Sequence, residues 1–199
     1  MKNLVREPQQ ERSIEKKNKI IQSGYELFSE VGYYGTNTVE IAKRAGVSTG
    51  IVYGYFQDKR DILICVLKIY IEKVSAPILD IIKPNANTLS LYEIAQGVID
   101  RTLDLHKENA KLHNTLHSLA TTDELVNAEF MKLENNITKR ISEQLAEIGV
   151  SSVDILEKTH LAMNIVQSFA HEYVFDKHNY LDYPKMKEIV CKTLVTLFE

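Results

Sequence analysis

The chain has 199 residues, 44% hydrophobic and 26% charged, with a formal net charge of −3. That composition excludes collagenous, low-complexity and disulfide-stapled proteins, and it suits either one compact domain or a small module joined to a larger one. The charge is uneven: residues 1–60 carry ten Lys and Arg against seven Asp and Glu, and residues 61–199 carry fourteen against twenty, so a modestly basic end precedes an acidic body.

Taken in chain order, the pattern is helical. Ile14, Ile21, Tyr25 and Phe28 recur at helical spacing, with Ile20, Leu27 and Val31 on the same broad face, and predict a first helix over about residues 13–31 that Gly32 ends. Asn37 and Glu40 read as the two halves of a capping box. The helix they open has Ile41, Ala42 and Ala45 on its buried side and stops at Gly46. Ser48 is the expected N-cap of a short third helix over about residues 49–55, and Asp58 opens a fourth that runs to about residue 82. Beyond Pro84, longer helices are predicted over about residues 88–106, 110–119, 123–148, 153–176 and 183–198, the third of them opened by a Thr121-to-Glu124 capping box. Six of the eight glycines precede residue 55, so short elements with tight turns are followed by long, rarely broken helices. The expected fold is all-α with about nine helices: an N-terminal three-helix module over residues 1–60 and a larger helical domain over residues 61–199.

No apolar stretch is long enough to read as a membrane span, and the polar start MKNLVREPQQERSIEKK does not read as a signal peptide. Cys65 and Cys191 lie in apolar helical patterns without a CxxC spacing, as two small buried residues of a reduced, cytoplasmic protein would. There is no nucleophile elbow, phosphate loop, HExxH or paired-carboxylate signature, so neither an enzyme nor a bound cofactor is expected.

The informative segment is GTNTVEIAKRAGVSTGIVYGYFQDK, residues 35–59. Two short helices joined by the turn Ala45-Gly46-Val47-Ser48 and packed on a longer first helix make a helix-turn-helix, whose second helix can enter the major groove of DNA. That second helix is rich in glycine and hydroxyls, poor helix formers that approach a phosphate backbone well, while Val47, Val52 and Phe56 supply its packing.

The run Thr36, Ile41, Ala42, Ala45, Gly46, Val47, Ser48, Gly50, Tyr53, Tyr55, Phe56 and Lys59 resembles the DNA-binding domain of the TetR (tetracycline-repressor-like) family, over about residues 14–65. The resemblance implies a transcriptional regulator, most often a repressor, that binds double-stranded operator DNA as a homodimer and answers to a small-molecule effector. It also implies roles by position, each with a chemical rationale. Thr38, in the first turn of the second helix, offers a hydroxyl and helix-terminal amides to a phosphate. Ser48, Thr49, Gly50 and Ile51 begin the recognition helix, where Ile51 or the Thr49 methyl packs on a thymine methyl. Tyr53 and Tyr55 bond phosphates, Lys59 neutralises one, and Arg44 and Lys43 add cations. The recognition helix has no Arg, Asn or Gln, so shape and water share the readout.

In the body, the eighth and ninth predicted helices carry apolar residues over more than one face, including Phe169 and Leu194, and the surplus suggests an intermolecular four-helix bundle as the pairing surface. Tyr92, His113, His117, Phe130, Met163, Asn164 and Gln167 are candidates to line a mostly apolar effector cavity. His113 and His117 stand i, i+4, but no third ligand is assigned to them and no metal site is expected. The alternative is a helix-turn-helix protein whose body binds another protein.

Overall fold

The computed structural model describes residues 11–83, 89–150 and 152–199, and these form nine helices and no strand. The expected start of the fifth helix at Thr88, and the break at Pro84, lie outside the described residues. The helices gather into two compact units that interleave along the chain: one comprises the described residues up to Ile71 with Asn109–Phe130, the other Glu72–Glu108 with Met131–Glu199. The module expected over residues 1–60 is therefore only part of the first unit.

That first unit holds α1 (Glu11–Glu30), α2 (Thr38–Ala45), α3 (Thr49–Tyr55), the first half of α4 (Lys59–Ile82), α6 (Ala110–Ala120) and the opening turns of α7 (Glu124–Glu147). Here α1 is the organising element, packed on α2, α3 and α6. Its Ile20 and Phe28 are wholly buried, as are Ile41 of α2 and Ile62, Leu63, Val66 and Leu67 of α4. Each such aliphatic or aromatic side chain withdrawn from water contributes roughly 1.5–3 kcal/mol. Gly24 permits the close approach of α1 to α4, because a Cβ there would stand 2.7 Å from Ile62 Cγ2.

The second unit is built on α5 (Leu91–Glu108), which packs on both α8 (Ile155–Phe175) and α9 (Tyr183–Phe198), themselves in mutual contact. Ile99 and Leu103 of α5 meet Val166, Phe169 and Ala170 of α8 and Val190, Cys191 and Leu194 of α9 in one cluster. Phe169 and Leu194 are thus spent on the core of a single chain, since α5 takes the face that the sequence pattern left for a partner. The apolar side chains of α8 and α9 that stay outside are Leu156, Leu161 and Ile189, the last 59% exposed.

Helix ends fall within three residues of expectation, but two caps differ. Thr121 donates to the Ser118 carbonyl at the end of α6, and Asp123 caps α7 by accepting from the Leu125 and Val126 amides, so no Thr121–Glu124 box forms. A carboxylate two residues closer to the helix outcompetes the hydroxyl. At α5 the box is Ser90 with Glu93, and α9 starts under Asp182, which accepts from the Lys185 amide. Cys65 and Cys191 are free thiols. Among the described residues no helix is long and apolar enough to cross a membrane.

Candidate nucleic-acid interface

The α2–turn–α3 segment is shaped by its own short-range bonds. Asn37 holds an extended backbone and its Oδ1 accepts from the Val39 and Glu40 amides, both at 3.0 Å, while the Glu40 carboxylate accepts from the Asn37 amide at 3.1 Å. That is the predicted capping box. At the other end Gly46 takes the left-handed conformation, φ 68° and ψ 31°, and the Val47 amide reaches back to the Ala42 carbonyl at 3.0 Å. A side chain at Gly46 would be strained there, which is why glycine ends α2 and sets the direction of the turn. Ser48 occupies the N-cap of α3 through its backbone, its carbonyl accepting from Ile51 and Val52, but its hydroxyl makes no capping bond. The expected side-chain cap is absent, and an exposed hydroxyl stands at the start of α3 instead.

Seven residues of α3 divide cleanly. Val52 and the following Phe56 are buried, and Gly50, Tyr53 and Gly54 are exposed, with Thr49, Ile51 and Tyr55 between. The two tyrosines are held differently. Tyr53 Oη lies 3.0 Å from Thr38 Oγ1, joining the outer face of α3 to the first turn of α2. Tyr55 Oη lies 2.7 Å from Ser13 Oγ, tying the end of α3 to the first turn of α1. Thr38 and Tyr53 thus share the α2–α3 surface, Ser48 and Gly50 are exposed and Thr49 and Ile51 half-buried at the start of α3, and Ser13 is a neighbour that sequence reasoning missed.

Two of the expected cations have internal tasks. Arg44 forms a two-pronged pair with Glu30, at 2.6 and 2.8 Å, and lies 3.8 Å from Glu26. The guanidinium bonded to Glu30 holds that carboxyl below its ordinary range. Lys59, the first residue of α4, donates to the Tyr33 carbonyl at 2.6 Å and the Thr36 carbonyl at 2.7 Å, with its ammonium 4.1 Å from the Tyr33 ring centre. Burial pushes its pKa down, opposed by the Glu40 carboxylate. Two of its three N–H donors therefore hold the loop between α1 and α2. Buried Thr36 completes that loop by donating to the Gly32 carbonyl. No local pattern announces this use of Lys59, whose partners stand 26 and 23 residues earlier. Arg60 beside it reaches Asp123 at 3.3 Å, joining the start of α4 to the cap of α7.

The seven effector candidates divide between the units. In the first, buried His113 shares a 2.9 Å hydrogen bond with the buried phenol of Tyr70, and its ring lies 4.2 Å from that of His117, which in turn meets Phe130 at 5.0 Å. Burial raises the Tyr70 phenol far above its ordinary range, so it keeps its proton. In the second unit, Met163 packs into the cluster around Ile141 and Leu145 and accepts from Thr138, whereas Tyr92, Asn164 and Gln167 face outward. Helical spacing alone did not separate the inner from the outer face of α8. Among the described residues no three His, Cys, Asp or Glu side chains converge as metal ligands.

Comparison with known proteins agrees with this geometry. Residues 20–66 match the family of bacterial regulatory proteins named for tetR. The chain is 52% identical over 54 residues to the HTH-type transcriptional regulator HbdR of Aromatoleum sp. (strain CIB), 27% of this chain and 24% of that one. It is 31% identical over 111 residues to the HTH-type transcriptional regulator YuxN of Bacillus subtilis (strain 168), 56% of this chain and 38% of that one. The matched segments thus span between about a quarter and two-fifths of those relatives. The fold as a whole is similar to a crystal structure of a TetR-family transcriptional regulator from Mesorhizobium loti, with TM-score 0.73 and 20% identity, covering 95% of this chain and 97% of that one.

Proposed function

We propose that this chain, whose residues 20–66 match the family of bacterial regulatory proteins named for tetR, is a member of that family and a homodimeric repressor released from operator DNA by a small apolar or amphipathic effector. The observation that carries the reading is the α2–turn–α3 surface: exposed Ser48 and Gly50 with half-buried Thr49 and Ile51 at the start of α3, beside the bonded hydroxyls of Thr38 and Tyr53. Residues 1–60 carry the operator contacts in this reading, and residues 61–199 sense and pair. Thr49, Gly50 and Ile51 meet base edges, Thr38 and Tyr53 together grip one phosphate, and Tyr55 borders the same strand. Arg44 and Lys59 act from behind, bracing α2 on α1 and the α1–α2 loop on α4.

Pairing falls to the outer faces of α8 and α9, where Leu161 and Ile189 are exposed in the single chain. A twofold dimer presents two recognition helices about one DNA turn apart, roughly 34–36 Å. For the effector, the ring series Tyr70, His113, His117 and Phe130 supports an occupant with an apolar body and one polar end.

Selection of bound sequences from a random duplex library by the purified chain is the test. The expected result is a twofold-symmetric site, and a library from which no motif emerges overturns the reading. Thr49→Ala should then alter preference at one or two base pairs by about 1 kcal/mol or less, since a methyl contact is weaker than a bidentate pair. For sensing, a panel of fatty acids and aromatic carboxylates is titrated with and without operator. A true effector loses affinity in the presence of operator by the same factor by which it weakens operator binding.

A further inference from the structure

The first helix carries a charge pattern that folding does not require. Arg12, Lys16, Lys19, Ser23, Glu26 and Glu30 follow one another at steps of three and four, so they lie on one stripe of α1. The stripe is basic in its first half and acidic in its second, the reverse of what a helix dipole favours. The acidic end is accounted for, because Glu26 and Glu30 face Arg44 of α2. Arg12, Lys16 and Lys19 are exposed, and among the described residues no ion pair involves them. Cations left at the positive end of a helix without a carboxylate partner suit an anion that arrives from outside.

Two contacts fix where that anion would lie. Ser13, one residue after Arg12, bonds Tyr55 at the end of α3, and the Lys17 ammonium stands 5.8 Å from the centre of the Phe56 ring. The first two turns of α1 are therefore beside the C-terminal end of the recognition helix, and the stripe flanks it. Arg12 to Lys19 spans about 10 Å of helix, the length over which one strand of B-DNA presents about three phosphates.

We infer that Arg12, Lys16 and Lys19 form a second, sequence-independent DNA surface that holds the sugar–phosphate backbone outside the base pairs read by α3. The inference rests on the operator-binding reading above and adds a footprint to it. The stripe contributes affinity, salt dependence and length of site, and no base preference.

The test uses the full chain and the duplex obtained by selection, with binding measured by fluorescence anisotropy over a range of KCl concentrations. Replacing Arg12, Lys16 and Lys19 together by Ala should reduce the log–log salt slope by about two to three units per protomer, at roughly 0.9 per phosphate, and leave the ranking of operator variants unchanged. Replacing exposed Lys132, Lys139 and Lys185 by Ala removes the same charge from the second unit and controls for the overall field. Trimming the duplex just outside the selected motif should weaken the unaltered protein and leave the triple variant indifferent. Circular dichroism establishes that the triple variant is folded, and single replacements, each costing about one unit of slope, serve if it is not. An unchanged slope, an equal loss in the control, or indifference of the unaltered protein to trimming overturns the inference while leaving the operator reading standing. Failure of the unaltered protein to bind any duplex removes both.

Discussion

The α2–turn–α3 segment and the α5–α8–α9 cluster solve opposite problems. In the first, a seven-residue helix buries Val52, sets Phe56 beneath its end, and leaves most other side chains at the surface. Its shape is set by caps and a left-handed glycine, so the surface is free to carry chemistry. In the second, three long helices commit Ile99, Phe169, Val190 and Leu194 to one another, and outward positions such as Asn164, Gln167 and Ile189 are what remains. A surface displayed by short-range bonds tolerates helix-poor residues such as Gly50 and Gly54. A surface left over from packing does not advertise its purpose.

The sharpest way to break this contrast is in the cluster. Phe169→Asp, 3% exposed in the single chain, puts an unpaired charge in a dry core and should cost on the order of 3–5 kcal/mol, enough to lose the fold by circular dichroism. Ile189→Asp, on the outer face of α9, should leave helicity intact and convert the proposed dimer into a folded monomer by light scattering. If Phe169→Asp stays folded and merely becomes monomeric, the assignment of Phe169 to the core of one chain fails.

In the N-terminal segment the corresponding break is Gly46→Val. A β-branched residue forced to φ 68° costs about 1–3 kcal/mol and misaims α3, so operator affinity should fall more than the melting temperature does. Unchanged affinity would mean that the turn angle is not what positions the recognition helix.

Lys59→Met keeps the aliphatic stem and removes the ammonium from two carbonyls, for an expected loss of about 1–3 kcal/mol in thermal unfolding. If Lys59 acts by bracing, the log–log salt slope of the variant should move by less than about half a unit. A drop of a full unit would return Lys59 to direct phosphate contact.

The smallest effect is a pH dependence in the second unit. Burial lowers the pKa of His106 below its ordinary 6.5, although its Nδ1 bond to the Thr102 carbonyl opposes this. The unfolded chain therefore takes up the proton first as pH falls through 6.5, and stability declines below that point rather than above it. Thermal melts between pH 7.5 and 5.5 should show that decline for the natural chain and a flatter profile for His106→Gln.

What could be read in advance was what short-range physics decides. The Asn37–Glu40 box, the Gly46 stop, α9 over Tyr183–Phe198 and the helix-turn-helix itself depend on residues within a turn or two of one another, so residue identity and spacing suffice. Even there the choice between two adjacent caps, Thr121 and Asp123, went to the better-placed carboxylate. Tertiary structure alone decided which cations are occupied, because Arg44 finds Glu30 fourteen residues away and Lys59 finds Tyr33 across twenty-six. It also decided which apolar faces are used up, since α5 covers Phe169 and Leu194 and leaves Leu161 and Ile189 outside. Helical periodicity says that a face is apolar and is silent on what covers it, because the partner is chosen by the free energy of the whole packed arrangement and not by the helix that presents the face.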